Sequence, residues 1–497
     1  MAEGSSSQSA QSSPSESSSH KQLKVLTLNV WGLAFFSKLR NVRIPAIAAR
    51  LASSDYDVVA LQEIWCESTD WRQLRDRCSV KFPFSKFFYT GAFGSGLAIL
   101  SKYPIVGTHT HPYSLNGHPV MVHHGDWIVA KAAGCATINV DGLGLIDVWI
   151  THTVAAGGED GPESKRAHRV IQAYELAKYA RNSAAKGHHV ICLGDFNSTP
   201  PSLSIAILRD VGQLNDAFLQ THPSLPPHAI SLPRSSRIRP DPRLSIAELG
   251  VTCDSPLNTW TAGKKLDDRA LKGAGKRLDY ILYRGPDVDY KSKSQLNCTE
   301  CKVNFTELIE GQQCSFSDHF GLEATFEILS SDEISANQRP PLSPESARAS
   351  SSRLSQTLTS SLSALSASLA SSRQTQRNHA FAFIASVILA FTCIIFAGST
   401  RMGRVGLGAI WAFFTLLLTW LGTTALYSAL IWGEWEKRTL KTFLELMELD
   451  LLAERRRHSF FTGSPQASKA TLHPTSQPNQ KNSRLSTENT QKLVNVD

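Results

Sequence analysis

An apolar run that ends in a carboxylate and an amide occupies residues 190–197, Val190-Ile191-Cys192-Leu193-Gly194-Asp195-Phe196-Asn197. A short apolar run of this kind is typical of a buried β-strand. Because side chains two positions apart in a strand point the same way, we expect Asp195 and Asn197 to address one bound group. Polar groups at strand ends are typical of functional sites in α/β folds.

Five further segments have polar side chains at a predicted strand end. They are residues 24–29 with Asn29, residues 57–63 with Glu63, residues 145–153 with His152, residues 278–283 with Asp279, and residues 317–319 with Asp318 and His319. Carboxylates are typical ligands of Mg²⁺, which suits Glu63 with Asn29 beside it. A histidine is the natural base for an attacking water near neutral pH, and a carboxylate fixes its tautomer. The set predicts Mg²⁺-dependent hydrolysis of a phosphodiester.

Other interpretations exist for single residues. Asn29 and Asp279 are also typical turn or capping residues, because Asn and Asp favour strand ends. Glu63 alone is compatible with a solvated rim charge. The pair Cys298 and Cys301 has no matching second pair, so a structural zinc site is not predicted.

Composition divides the 497-residue chain. Residues 1–21 are Ser-rich and predicted to be a disordered tail, whereas residues 22–329 alternate apolar runs with turn signals and predict one α/β domain. The net charge of +8 is too small to demand a nucleic-acid partner. Nine cysteines without framework spacing, and a first segment without an apolar core, predict a reduced, cytosol-facing domain.

The C-terminal part predicts a membrane attachment. Residues 330–379 form a Ser-rich linker with leucines at helical spacing, which allows an amphipathic helix or a solvated spacer. Residues 380–432 contain two uncharged stretches, each about as long as the roughly 20 residues that cross a bilayer. They predict two transmembrane helices; buried core helices are the alternative. Residues 433–457 predict an amphipathic juxtamembrane helix, either lying on an anionic leaflet or serving as a helical cap, and residues 458–497 a disordered tail.

Six short motifs follow one another in an order that resembles the DNase I-like endonuclease/exonuclease/phosphatase superfamily between residues 24 and 328. They are Thr-Leu-Asn-Val-Trp-Gly at 27–32, Gln-Glu at 62–63, Thr-His-Thr at 151–153, Gly-Asp-Phe-Asn at 194–197, Leu-Asp-Tyr at 278–280 and Ser-Asp-His at 317–319. The Trp-Gly pair, residues 94–104 and residues 124–131 resemble neutral sphingomyelinases. With two spans after a Ser-rich linker, the chain is most similar to fungal inositol phosphosphingolipid phospholipases C. The resemblance implies a four-layer α/β sandwich of two packed mixed sheets flanked by helices, followed by a two-helix transmembrane hairpin.

The resemblance also implies roles for the motif residues. Glu63 would bind the catalytic Mg²⁺, for which Mn²⁺ is a possible substitute, with Asn29 near it. His319 would be the general base, oriented by Asp279, with Asp318 beside it.

The remaining roles concern the phosphate. Asp195 would position the water or handle a proton, and Asn197 would stabilise the pentacoordinate phosphoryl group. His152 would donate to the phosphate or help protonate the leaving alkoxide. Lys131 would bind an anionic headgroup, and Asp126 would form an ion pair with Lys131. A purely structural role for this ion pair is the alternative. The segment around them departs from the nucleotide-binding P-loop pattern, so nucleotide binding is not expected.

We therefore expect a membrane-embedded phospholipase C that cleaves phosphosphingolipids, either inositol phosphorylceramides or sphingomyelin, into ceramide and a phosphorylated headgroup. We expect anionic phospholipids to activate the enzyme. We expect it in the endoplasmic reticulum membrane, with a mitochondrial membrane as the alternative. Truncation at Leu329 should leave a soluble, active domain. Alternatives are a nuclease, an inositol-polyphosphate phosphatase or an inactive lipid-binding scaffold. The sequence leaves headgroup preference and oligomeric state open.

Overall fold

The structure is a computed structural model, and it describes residues 21–121, 125–155, 163–223, 240–287, 294–330, 344–399 and 405–462. The two tails predicted to be disordered lie outside this range, except for Lys21 and residues 458–462.

Two six-stranded mixed sheets form the centre of the α/β domain. The first has the order β11-β12-β1-β2-β4-β3, with β1 at Gln22–Asn29, β2 at Val58–Gln62, β3 at Phe84–Phe88, β4 at Leu97–Ser101, β11 at Ser294–Asn304 and β12 at Gly321–Ser330. The second has the order β5-β6-β7-β8-β10-β9, with β5 at Ile105–Pro112, β6 at Ala132–Val140, β7 at Gly144–His152, β8 at His189–Asp195, β9 at Asn215–Asp216 and β10 at Asp279–Arg284. The sheets pack face to face over a core of aliphatic and aromatic side chains.

Helices cover both outer faces, so the domain has four layers. They are α1 at Arg40–Ala52, α2 at Arg72–Cys78, α3 at Asp126–Val129, α4 at Glu163–Ala185, α5 at Leu203–Asp210, α6 at Ala217–Thr221, α7 at Pro242–Leu249 and α8 at Asp268–Gly273. The first sheet packs against α1 and α2, and the second against α4 and α5. The predicted DNase I-like sandwich is confirmed.

Strand direction brings the predicted site residues to one edge. The strands β1 and β2 pair in parallel with Asn29 opposite Gln62, and β7 and β8 pair in parallel with His152 opposite Asp195. Asp279 begins its strand rather than ending it. It reaches the same edge because β10 runs antiparallel to β8, and the two aspartates lie opposite each other.

One glycine permits this approach of β7 and β8. Gly194 has a φ of +144°, and a Cβ added there would lie 2.0 Å from the carbonyl oxygen of Thr151. Because both neighbours of this contact, His152 and Asp195, belong to the predicted site, any larger residue at position 194 would separate them.

The C-terminal helices are longer than predicted. Helix α9 spans Pro344–Ser399 without a break between linker and first apolar stretch, α10 spans Val405–Tyr427, a π-helical turn spans Ser428–Trp432, and α11 spans Gly433–Thr462. By length and composition, two helical segments of the described chain, Glu345–Gly398 and Gly408–Arg457, each contain an apolar stretch long enough to cross a membrane. Their apolar side chains, such as Phe391 and Leu416, are exposed.

The helix predicted at residues 433–457 packs on the α/β domain. Leu440, Phe443, Met447 and Leu451 of α11 are buried in the same core as α4. The first half of α9 joins them with a further row of leucines, at positions 354, 358, 362, 365 and 369. The proposal that this face of α11 lies on lipid is therefore wrong, because protein already covers it. The helical cap, the other alternative, describes it better.

Candidate active site

Glu63 and Asp195 approach each other through a shared amide. The Nδ2 atom of Asn29 donates to Glu63 Oε1 at 2.9 Å and to Asp195 Oδ2 at 3.0 Å. The Oδ1 atom of the same amide accepts the N–H of Trp31 at 3.0 Å. The Asn29 amide therefore orients the two carboxylates. Its Oδ1 atom would face a metal between them only if the amide flipped, so that Oδ1 and Nδ2 exchanged positions.

The carboxylates lie in surroundings that disfavour two negative charges. Burial and the nearby Asp318 raise the pKa of Glu63. Burial also raises the pKa of Asp195. Glu63 is held at a left-handed φ of 60°, which is uncommon for a non-glycine residue. A cation between the carboxylates would stabilise their charged forms.

Two overlapping groups of side chains present metal-ligand atoms to one point. Glu63, His152 and Asp195 form one group, and Asp195, Asp279 and His319 form the other, with the ligand atoms of each group within 4.8 Å of one another. The Oδ1 atom of Asp279 is buried and has no hydrogen-bond partner in the described chain. Oxygen donors with few sulfur neighbours fit a hard divalent cation such as Mg²⁺.

His319 and Asp279 form a hydrogen-bonded pair. The Nδ1 atom of His319 lies 2.8 Å from Asp279 Oδ2, so Nδ1 carries the hydrogen and Nε2 faces Asp195 Oδ2 at 3.8 Å. Burial by itself would lower the pKa of His319, but Cys253, Asp279 and Asp195 outweigh burial and raise that pKa well above its usual value. This is the geometry of a base held by a carboxylate.

Lys131 and His152 form a second pair. The Nζ atom of Lys131 lies 2.7 Å from His152 Nε2, which must accept because an ammonium only donates. Burial, Lys131 and His319 lower the pKa of His152 well below its usual value, so the imidazole is neutral. Asp126 lies 3.7 Å from Lys131 Nζ and is buried, as the sequence-based pairing requires.

Asn197 and Asp318 lie beside these pairs. The backbone N–H of Asn197 donates to Asp195 Oδ1 at 2.9 Å, and its Nδ2 donates to the carbonyl of Thr153 at 3.1 Å. Asp318 is ion-paired with Lys264 at 3.2 Å and belongs to neither ligand group. Lys264 carried no signal in the sequence, since an isolated lysine in a polar loop has many possible roles.

Arg43 supports the site and was missed by the sequence analysis. Its guanidinium donates to the carbonyls of Val30, Trp31 and Phe316, which lie on both sides of the site. The side chain is buried on α1 beside Ile44. The sequence contained one signal for this role, which was a charged residue on the apolar face of a helix.

A third group of potential metal ligands lies outside the site. Its hydrogen bonds do not leave the ring nitrogens that face Glu436 free to bind a metal. His118, His168 and Glu436 converge, but Nδ1 of His118 accepts from Trp432 Nε1 and Nδ1 of His168 accepts from Gly117 N. Because each Nδ1 accepts a hydrogen bond, the ring hydrogen lies on Nε2, the atom that a metal would need. Both Nε2 atoms face Glu436 Oε1, at 3.7 Å and 3.1 Å. The group joins α11 to the catalytic domain.

Comparison with known proteins agrees with this geometry. Residues 26–319 match the model of the endonuclease/exonuclease/phosphatase family. The chain belongs to this family. It is 32% identical over 441 residues to the inositol phosphosphingolipids phospholipase C of Schizosaccharomyces pombe, covering 87% of this chain and 96% of that protein.

Two other relatives cover less of the chain. The inositol phosphosphingolipids phospholipase C of Saccharomyces cerevisiae is 34% identical and covers 63% of this chain and 66% of its own length. Human sphingomyelin phosphodiesterase 2 is 31% identical and covers 61% and 64%. Among solved structures, Staphylococcus aureus beta toxin covers 61% of this chain and 99% of its own, with a TM-score of 0.41 and 20% identity. Within the family, the chain belongs with the inositol phosphosphingolipid phospholipases C and neutral sphingomyelinases, and it is a phosphodiester hydrolase.

Proposed function

We propose that this enzyme is a membrane-anchored, Mg²⁺-dependent phospholipase C that hydrolyses the phosphodiester of a phosphosphingolipid to ceramide and a phosphorylated headgroup. The observation that carries the proposal is the His319–Asp279 pair facing the Glu63, Asp195 and Asn29 cluster. The names of the relatives support the substrate class.

Glu63 is the residue we assign to the metal, with Asn29 beside it. A bound Mg²⁺ would neutralise the charge that grows on the phosphoryl oxygens. His319 Nε2 takes the proton of the attacking water, and Asp279 stabilises the imidazolium that forms. Asp195 positions that water, because its Oδ2 lies 3.8 Å from His319 Nε2.

Lys131 is the donor that we assign to the phosphate and the leaving alkoxide. Because His152 Nε2 accepts a hydrogen bond from Lys131, the group that can donate a proton on this side of the site is the Lys131 ammonium. His152 then orients Lys131, and Asp126 balances its charge. We assign Asn197 to stabilising the phosphoryl group; its Nδ2 also donates to the carbonyl of Thr153.

The apolar parts of α9 and α10 supply the membrane anchor in this proposal. Tethering confines the enzyme to the leaflet that contains its insoluble substrate, which raises the effective concentration. The outer flanks of the two apolar stretches carry more basic residues than the turn between them, which favours a cytosolic catalytic domain. The same basic flanks favour stimulation by anionic phospholipids. The endoplasmic reticulum is the membrane we propose, with a mitochondrial membrane as the alternative.

The test uses purified full-length protein with sphingomyelin, inositol phosphorylceramide, a glycerophospholipid and DNA as separate substrates. We expect ceramide release that stops on chelation, returns with Mg²⁺ and is lost in His319→Ala. In Glu63→Gln, added Mg²⁺ should not restore ceramide release, whereas in the surface variant Glu307→Gln it should. Cleavage of DNA alone, or ceramide release without a divalent ion, would refute the proposal.

A further inference from the structure

Six exposed apolar side chains lie on three segments that lead into the active site. Phe35 is fully exposed, Phe36 is 75% exposed and Phe93 is 71% exposed, so these three rings have little protein cover. The other exposed side chains of the set are Leu33, Leu39 and Trp127. Exposed apolar side chains that gather in one region are typical of a surface that binds an apolar partner.

The first segment, residues 31–39, joins β1 to α1 and is fixed at both ends beside the site. Near its start, the N–H of Gly32 donates to the carbonyl of Glu63 at 3.0 Å. Near its end, the carbonyl of Lys38 accepts from Arg43 Nε at 2.8 Å. The two phenylalanines lie between these anchors, so the loop carries them at the border of the site.

The second segment, residues 89–96, joins β3 to β4 and borders the same site. The carbonyl of Gly96 accepts the N–H of Ile64, the residue after the proposed metal ligand, at 3.0 Å. At the other end, Thr90 Oγ1 donates to the carbonyl of Ala130 at 2.9 Å. This loop, which contains the third exposed phenylalanine, therefore connects the metal side of the site to the lysine side.

Strand directions place all three segments on one edge of the sandwich. Because β4 runs antiparallel to β2, the loop before β4 leaves the first sheet at the edge where β2 ends. Helix α3, which contains Trp127, precedes β6, and the start of β6 pairs with the end of β7 through Ala133 and Thr151. The six side chains therefore form an apolar rim around the proposed site. Val80, which is 97% exposed, precedes β3 and lies at the opposite edge.

The position of the apolar rim indicates a lipid leaflet as its partner. In the proposed function, the reacting phosphate is bonded to a ceramide whose chains lie in the leaflet. The residues around the site must therefore come within the length of one headgroup of the apolar layer. Aromatic side chains are enriched at this depth of a membrane. A second copy of the chain on the rim would instead cover the site and exclude the substrate.

We propose that the apolar rim inserts into the surface of the substrate's leaflet and holds the active site against it. The inference rests on the proposed function, and it goes beyond the membrane hairpin because it assigns a second membrane contact to the α/β domain itself. The hairpin confines the enzyme to the membrane, whereas the rim sets the orientation of the site. Because the contact is apolar, a leaflet of zwitterionic lipid is sufficient for it.

The direct test is photocrosslinking of full-length protein in nanodiscs of phosphatidylcholine. Phe36 is replaced by the photoreactive residue benzoylphenylalanine, and mass spectrometry detects lipid attached to this position after illumination. The matched control carries the same residue at Val80, which is exposed at the opposite edge of the same sheet. We expect attached lipid at position 36 and none at position 80.

Two results of this experiment would overturn the proposal. Equal attachment of lipid at both positions would show that the domain contacts the membrane without a preferred orientation. Attachment of position 36 to a second copy of the chain, in place of lipid, would show that the rim is a surface for self-association.

Hydrolysis measures the consequence of the contact. Phe35→Ser/Phe36→Ser removes two exposed rings, so the thermal unfolding temperature should not change. The ratio of vesicle turnover to turnover of a monomeric short-chain form of the same lipid should fall about tenfold or more, because burial of one phenylalanine favours association by at least that factor. Val80→Ser should leave this ratio unchanged. An unchanged ratio in the double variant would contradict the proposal.

Lipid attachment separates this inference from the proposed function, since it requires no hydrolysis. Attachment at position 36 alone, in a protein that releases no ceramide, would contradict the proposed function and support the rim. Ceramide release without attachment of lipid at position 36 would support the proposed function and overturn the rim.

Discussion

The hydrogen bond between His319 and Asp279 sets the reactivity of the proposed base. Asp279→Asn keeps the size of the side chain and removes the charge that stabilises an imidazolium. We expect kcat to fall by roughly two to four orders of magnitude with little change in KM, as for other carboxylate-held histidines. The variant Asp76→Asn, at an exposed position of α2, is the control. Equal activity of Asp279→Asn and the unchanged enzyme would refute this role.

The same substitution predicts a change in pH dependence. Asp279 is one of the groups that raise the pKa of His319, and the base must be neutral to accept a proton. Removing Asp279 therefore lowers that pKa, so the acidic limb of kcat/KM should move to lower pH even as its height falls. A limb that stayed in place or moved to higher pH would contradict the assignment.

Lys131 controls the second histidine. Because the Lys131 ammonium is one cause of the lowered pKa of His152, Lys131→Met should raise that pKa toward its ordinary value. The imidazole resonances of labelled protein, titrated without metal, measure the shift. Activity should fall more than about tenfold through loss of a charged donor. Lys272→Met, on an exposed position of α8, should change neither quantity.

At the scale of single elements, α11 is part of the catalytic domain's core. Leu440 is fully buried against that core, whereas Leu449 on the same helix is 63% exposed. Leu440→Ala should lower the free energy of unfolding by about 2–5 kcal/mol, and Leu449→Ala should change it by less than about 0.5 kcal/mol. Chemical unfolding of full-length protein in one detergent compares them. Similar small effects for both would show that α11 does not dock as described.

Polar contacts support the same docking. Tyr174 of α4 donates to Asp450 Oδ2 at 2.7 Å, and its ring meets Phe443 edge-on at a centroid distance of 6.0 Å. Glu436 accepts from Ser372 of α9 at 2.7 Å and faces the two histidines of the catalytic domain. The first half of α9, α11 and α4 therefore form one packed layer on the second sheet.

For the whole molecule, this layer alters the expected result of truncation. A chain that ends at Ser330 loses α9 and α11, so the apolar face of α4 becomes exposed. We now expect such a chain to unfold at a lower temperature and to aggregate, because hydrophobic burial is the main stabilising contribution. The sequence-based boundary at residue 329 separates regions of different composition that share one core.

An internal replacement should preserve the fold where truncation does not. Gln376 contacts Glu434 directly, so the two ends of the apolar hairpin are adjacent. A flexible linker of about six residues spans on the order of 13 Å and can replace residues 380–432. We expect a soluble protein that hydrolyses detergent-dispersed lipid and turns over vesicles poorly. Size-exclusion chromatography, thermal unfolding and ceramide release compare it with the chain ending at Ser330. Equal stability of both would contradict the shared core.

The sequence was sufficient for the sandwich and for most residues at its edge. Alternation of apolar and polar residues and the identity of strand-end residues are local properties, so they can be read from the sequence. The parallel pairing of β1 with β2, which brings Asn29 toward Glu63, came from the structure. The order of six motifs then identified the family. The two apolar stretches were equally readable, because length and lack of charge suffice to describe them.

Only the tertiary structure decided which of these groups meet. That His319 takes Asp279 as its partner while Asp318 pairs with Lys264, and that Lys131 donates to His152, depends on segments far apart in the chain. An amphipathic helix likewise shows one apolar face in its sequence, whether lipid or protein covers it. Tertiary packing decides between lipid and protein. The leucines of α9 and α11 contact the apolar face of α4 because the folded domain places that face beside them.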